Sequence, residues 1–243
     1  MSQKKDRESR RERLEEVQKA QRRKTTRRNL VISLGAVIAF AVVVGGVIFI
    51  NSALKDDKPA AADTSTNSQL VRPDSHRLGD AGDGKVTLVE FLDFECPSCG
   101  AIYPAVEQLR KDYAGKVTFV ARYFPLEMHF NAERASLAAE AAGQQGKFEA
   151  MYQKMYETQQ QWGNKQTPAD ATFRGFAEEL GLDMAKWDKA YKDPATLKRV
   201  NADVRDGEAL GVAGTPSFFL NGEKLDPKSY EDFTKAIDAA LAN

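Results

Sequence analysis

Between Leu30 and Ile50 the chain runs for 21 residues without a charged side chain, and Ser33 is the only hydroxyl in that stretch. As a helix rising about 1.5 Å per residue, such a run covers roughly 30 Å, the hydrocarbon thickness of a bilayer. Elsewhere the apolar residues come in short groups with a readable period. The segment GKVTLVEFLDF (84–94) is β-branched and aromatic and follows Gly82-Asp83-Gly84, which predicts a strand buried on both faces. Ile102, Val106, Leu109 and Tyr113 recur at helical spacing and predict a helix over 97–113, and KVTFVARYF (116–124) predicts a second strand. Strand, helix and strand in this order make a βαβ unit, expected to be parallel and right-handed.

No strand pattern appears over roughly 129–211. Phe148, Met151, Met155 and Trp162 make one helical seam, Phe173, Phe176 and Leu180 another, and Met184, Trp187 and Tyr191 a third. Breaks fall at Gly143, Gly146, Thr167-Pro168, Gly181 and Asp193-Pro194. SFFL (217–220), Asn221-Gly222 and EKLD then predict a hairpin with a primed turn. Tyr230, Phe233, Ile237 and Leu241 predict a closing amphipathic helix. The order is βαβ, helices, ββα.

The charge distribution changes the reading of the N-terminal third. Residues 1–28 hold 12 Lys/Arg against 5 Asp/Glu, which leaves 23 against 30 beyond residue 50 and a formal net charge of zero overall. A basic tail directly before a 21-residue apolar run points to membrane orientation rather than to nucleic acid. The expected organisation is a basic cytoplasmic tail (1–28), a transmembrane helix (29–50), a flexible linker rich in Lys, Asp, Ala, Ser and Thr (51–69), and a folded domain (70–243) outside the plasma membrane of a bacterial cell. A cleaved signal peptide is the competing reading. Its apolar core is ordinarily about 7–15 residues long, so the length of this run favours a retained anchor.

The only two cysteines lie in FECPSCG (94–100). A metal site would need further close-spaced ligands, and His76 and His129 are isolated on different segments. A structural disulfide closing so short a loop removes little unfolded-state entropy. A redox dithiol fits the local geometry better. Cys96 follows a buried strand, and Pro97 takes the first helical position. A thiol at a helix N-terminus is favoured as thiolate by the unpaired N–H groups there. Cys99, one turn on, is placed to attack a mixed disulfide on Cys96.

With the motifs VEFLDFECPSCG (89–100), FPLEMHFNAERASLAAEAAGQQGKFEAMY (124–152) and GVAGTPSFFLNG (211–222), the chain over about 70–243 resembles DsbA-like proteins of the thioredoxin superfamily, specifically the membrane-anchored actinobacterial type. The resemblance implies an α/β thioredoxin fold with an inserted helical subdomain at about 129–211, preceded by one transmembrane helix. It implies Cys96 as nucleophile and Cys99 as resolving thiol. Thr215-Pro216 would be the cis-proline loop facing them, with the Thr215 backbone pairing an extended substrate. Glu90 would be the buried acid that exchanges protons with Cys99, Pro104 the kink of the active-site helix, and His129 a capping or packing residue.

The implied function is an extracytoplasmic thiol oxidase that introduces disulfides into exported polypeptides with free cysteines, without cofactor or metal. A quinone-linked membrane partner similar to DsbB or vitamin K epoxide reductase would reoxidise it. A reductase or isomerase using the same dithiol, for instance in cytochrome c maturation, and a binding module with an incidental dithiol are the alternatives. One departure bears on the chemistry: the intervening dipeptide is Pro97-Ser98 where the most oxidising members have Pro-His. Serine adds no positive charge, and Asp93 and Glu95 close by in sequence are expected to disfavour a thiolate, so a less acidic Cys96 is expected.

Overall fold

The computed structural model describes residues 69–82 and 85–243. The expected cytoplasmic tail, transmembrane helix and all of the linker before Gln69 lie outside the described residues. Among the described residues no helix is long and apolar enough to cross a membrane.

Five strands and eight helices are described: β1 (His76–Gly79), β2 (Thr87–Leu92), α1 (Pro97–Asp112), β3 (Thr118–Tyr123), α2 (Ala132–Gly143), α3 (Phe148–Glu157), α4 (Gln159–Trp162), α5 (Asp170–Glu179), α6 (Met184–Lys192), α7 (Pro194–Ala209), β4 (Ser217–Leu220), β5 (Glu223–Leu225) and α8 (Tyr230–Leu241). They form one sheet in the order β1-β3-β2-β4-β5. β2 and β3 pair in parallel, with Glu90 opposite Ala121, and the remaining pairs are antiparallel. The expected βαβ unit, helical insertion and ββα end are all present. β1 was not anticipated; it adds an antiparallel edge beside β3.

β2 is central and buried on both faces, as its apolar run dictates. Leu88 and Leu92 face the main core, with Val106 and Leu109 of α1, Met151 and Met155 of α3, and Phe233 and Ile237 of α8. Val89 and Phe91 face a smaller cluster with Leu70, Val120, Phe124 and Phe219. Period-two alternation puts Glu90 on the same side as Leu88 and Leu92, towards α1 and α3.

On the opposite side, Arg122 of β3 is fully buried. It pairs with Asp203 and Asp206 of α7 at 2.8 and 2.7 Å and donates to the carbonyl oxygens of Gln69 and Leu70. The start of the folded domain is thus held to a strand and to the last helix of the insertion.

The sequence breaks fall at helix ends or between helices. Gly146 takes a positive φ between α2 and α3, and Asp193 caps α7 by accepting from the N–H of Ala195 ahead of Pro194. The hairpin turn has φ of 50° at Asn221 and 97° at Gly222, the left-handed pair a type I′ turn requires. Asn221 Oδ1 also accepts from Thr87 N at 2.8 Å, which ties the turn to the start of β2.

Candidate active site

β2 ends at Leu92, four residues before Cys96, and α1 starts immediately after it. Cys96 is the N-cap of α1, with extended backbone (φ −63°, ψ 121°), and Pro97 is the first helical residue. Cys99 lies in the first turn. Both are free thiols and buried, with 5% and 1% of their surface exposed. Pro104 lies within α1.

Across from them, Thr215-Pro216 is a cis peptide. Cys96 Sγ lies 3.4 Å from the Thr215 carbonyl oxygen. The structure therefore brings four of the five expected residues, Cys96, Cys99, Thr215 and Pro216, to one place. Ile102, Thr215, Pro216, Phe218, Lys224 and Leu225 are among the residues lining a groove of about 650 Å³ beside them.

The two thiols are driven apart electrostatically. Cys96 is lowered to about 5, first by the hydrogen bond from Cys99, against the opposing effect of burial. The Thr215 side chain and the open N–H groups of Ser98 and Cys99 add to the lowering. Cys99 is pushed well up, by burial first, then by its bond to Cys96 and by the charge of Glu90. Cys96 is thus the thiolate and Cys99 the protonated thiol.

Glu90 is 6% exposed on β2, between Ala121 and Phe218 of the neighbouring strands. Burial, and then the charge of Glu107, push its carboxyl up to about 8. It is protonated over most of the physiological range and is electrostatically linked to Cys99.

The expectation for Asp93 and Glu95 is corrected. Both carboxylates are buried but committed elsewhere. Asp93 accepts from the N–H groups of Glu95 and Leu126 at 2.8 and 3.0 Å and meets His129 Nδ1 at 2.5 Å. Glu95 accepts from the N–H groups of Asn131 and Asn164 at 2.5 and 2.9 Å. Neither is among the largest influences on Cys96. They fasten two loops of the helical insertion to the backbone just before the CxxC, and His129 serves as the partner of Asp93. His76 is bound separately, to Glu140 at 2.6 Å.

Sequence reasoning missed Gln159. Its side-chain amide donates to the carbonyl oxygens of Phe94 and Cys96, and its Oε1 lies where a Cβ on Gly100 would come within 2.1 Å. A lone glutamine more than sixty residues from its acceptors leaves no pattern in the sequence. The glycine directly after Cys99 is the one trace of it.

A thioredoxin family model matches residues 72–239. Over 175 residues the chain is 36% identical to a Na⁺/H⁺ antiporter NhaA 3 from Salinispora tropica, covering 71% of this chain and 26% of that protein. Over 180 residues it is 34% identical to a Na⁺/H⁺ antiporter NhaA 1 from Mycobacterium sp. strain KMS, covering 70% and 28%. The chain spans about a quarter of the length of these curated relatives. Among solved structures it is similar to a thioredoxin-like oxidoreductase from Silicibacter pomeroyi (28% identity, 72% of this chain and 98% of that one, TM-score 0.62). The fold is shared with alpha-DsbA1 of Wolbachia pipientis (19%, 74% and 96%, TM-score 0.64) and with oxidised BdbD of Bacillus subtilis (20%, 70% and 94%, TM-score 0.61).

Proposed function

The chain belongs to the thioredoxin family, with the DsbA-like fold, and on that footing we propose that it is an extracytoplasmic thiol oxidase that places disulfides in exported polypeptides through Cys96 and Cys99. The observation that carries this reading is the opposed acidity of the two thiols, Cys96 low and Cys99 high, beside a cis-proline loop. A stabilised Cys96 thiolate favours the dithiol over the disulfide. That makes the disulfide form oxidising, and Cys96 a good leaving group.

In the cycle a substrate thiolate attacks Cys96 Sγ of the enzyme disulfide. The S–S bond breaks, its electron pair goes to Cys99, and Cys99 takes up a proton. A second substrate thiolate attacks the substrate sulfur of the mixed disulfide and expels Cys96 as thiolate. The substrate leaves with its disulfide, and two electrons remain on the enzyme dithiol. Reoxidation calls for an electron acceptor, which we assign to a quinone-linked membrane partner of the DsbB or vitamin K epoxide reductase kind. Thr215 offers its backbone to an extended chain lying in the adjoining groove, a shape suited to unfolded rather than folded substrates.

Residues 1–28, 29–50 and 51–69 are proposed as cytoplasmic tail, membrane anchor and linker, which would hold this domain beside both the secretion pore and the reoxidase. The antiporter names belong to proteins of which the chain spans about a quarter, and no ion exchange is carried over from them.

The test is the reduction potential of the protein equilibrated in glutathione buffers. A potential more oxidising than the glutathione couple supports disulfide donation, and one well below it moves the assignment to the reductase alternative. Cys99→Ser should also accumulate mixed disulfides through Cys96 in cells.

A further inference from the structure

Opening the Cys96–Cys99 disulfide delivers a thiolate to Cys99, which is 1% exposed and cannot meet solvent directly. The proton it needs has to cross the core. Cys99, Tyr103 and Glu107 are spaced by four and share one face of α1, while Tyr152 and Tyr156 are spaced by four on α3. The three tyrosine rings are in mutual contact, with centroids 5.1 Å apart for Tyr103 and Tyr156, 5.6 Å for Tyr103 and Tyr152, and 5.1 Å for Tyr152 and Tyr156. A polar-edged seam therefore runs between the two helices, with Glu90 of the sheet beneath it.

Two groups in this seam are left over by the packing. Tyr152 is fully buried, and its hydroxyl has no hydrogen-bond partner. Glu90 is buried, and burial and the Glu107 charge alone account for its raised pKa, with no hydrogen bond to it contributing. A buried hydroxyl without a partner forfeits its hydration with nothing in return, so a purely structural role would be served better by phenylalanine. At the outer end Glu107 is 15% exposed, pairs with Arg110 and accepts from Gln153 Nε2 at 3.3 Å. The titratable groups facing Glu90 are Cys99 and Glu107 from α1 and Tyr152 and Tyr156 from α3. Asp93 shares its strand, Arg110 lies beyond Glu107, and Ala121 and Phe218 flank it on the neighbouring strands.

We propose that a proton path joins Cys99 to the surface through Glu90, the Tyr152 hydroxyl and Glu107, along the seam between α1 and α3. It rests on the thiol-oxidase reading and adds the route by which Glu90 is recharged. When the disulfide opens, the Glu90 carboxyl gives its proton to Cys99 and becomes a carboxylate. Glu107, a carboxylate at rest, takes up a proton from solvent and hands it through a bound water to the Tyr152 hydroxyl, which passes one proton on to Glu90, so that both Tyr152 and Glu107 end as they began. Closing the disulfide runs the same transfers in reverse, so no proton is gained or lost over a cycle. Tyr152 and Glu107 are relay residues that touch neither substrate nor sulfur.

The experiment follows the opening of the disulfide by dithiothreitol against pH, in light and heavy water, for the full chain and for Glu90→Gln, Tyr152→Phe and Glu107→Gln. Glu107→Gln removes a negative charge beside Glu90 and should move the Glu90 inflection to lower pH. Tyr152→Phe should keep that inflection, slow opening by roughly fivefold and enlarge the solvent isotope effect. Its denaturation midpoint should not fall, because no hydrogen bond is removed. Parent-like profiles for both variants, with the inflection lost only in Glu90→Gln, would overturn the relay and leave Glu90 acting alone. An inflection that survives Glu90→Gln would remove both the relay and the role of Glu90. A protein that exchanges no disulfide at all would instead defeat the functional reading beneath it.

Discussion

The side-chain amide of Gln159 donates a 2.9 Å hydrogen bond to the carbonyl oxygen of Cys96. Through this bond, and its companion to the carbonyl of Phe94 at 2.8 Å, the helical insertion holds the backbone that presents the nucleophile. Asp93 and Glu95 fasten the same stretch to the loops before α2 and after α4. The insertion is therefore part of the active-site scaffold, as well as a cover over the sheet.

Gly100 and Gln159 should behave as a coupled pair. A Cβ at position 100 would come within 2.1 Å of Gln159 Oε1, so Gly100→Ala must displace the amide and sacrifice its two hydrogen bonds. Each single change, Gly100→Ala or Gln159→Ala, is expected to cost about 1–3 kcal/mol. The double variant should cost clearly less than their sum, because the bonds are lost only once and alanine is the better helix former by about 1 kcal/mol. Denaturant midpoints of the three variants measure this, and strict additivity would mean that the two sites are independent.

The reduced protein should gain stability over the oxidised one as pH rises. Cys96 titrates at about 5 when folded and near its ordinary value of 9.0 when unfolded. Between these limits the unfolded chain binds more protons, so stability increases with pH, is fully present above the unfolded value and is lost as pH falls through about 5. Cys99 is shifted upward from 9.0 and opposes this only in the alkaline range. The disulfide form has neither titration. Thermal melts of both forms across pH would show the gap widening, and Thr215→Val, which removes a hydroxyl lowering Cys96, should narrow it.

Arg122→Met is expected to be severely destabilising. It takes from the fully buried Asp203 one of its two guanidinium partners, leaving Arg199 at 2.6 Å, removes the 2.7 Å partner of Asp206, and frees the Gln69 and Leu70 carbonyl oxygens. Breaking a buried pair on one side costs about 3–5 kcal/mol. Adding Asp203→Asn should recover part of the loss in urea titrations, since the carboxylate left with Arg199 as its one cation is then neutral.

Much of this architecture can be read from local pattern. β2 and β3 are dense apolar runs, Pro97 marks the start of α1, and Asn221-Gly222 specifies its turn without help from the rest of the fold. β1 escapes because HRLG has a single large apolar residue, Leu78, and becomes a strand only by pairing with β3 some forty residues on. Asp93 and Glu95 mislead for a related reason. Proximity along the chain suggests that they face the thiol, whereas the fold turns both carboxylates to N–H groups on distant loops. Gln159, Tyr152 and Arg122 are single residues whose partners are set by tertiary packing, so no periodicity announces them. The position of Cys96 and Cys99 at the start of α1 is legible from their spacing and from Pro97, whereas the place of Thr215-Pro216 beside them is implied by the family resemblance.

The grip of Arg122 on the first two described residues also has a mechanical meaning. Tension applied at Gln69 is met first by the guanidinium, which hands the load to β3 inside the sheet and to α7 on its face. The edge strand β1, downstream of that point, is shielded from being peeled away residue by residue. A pull from the N-terminal side would have to release this grip before it reached β1.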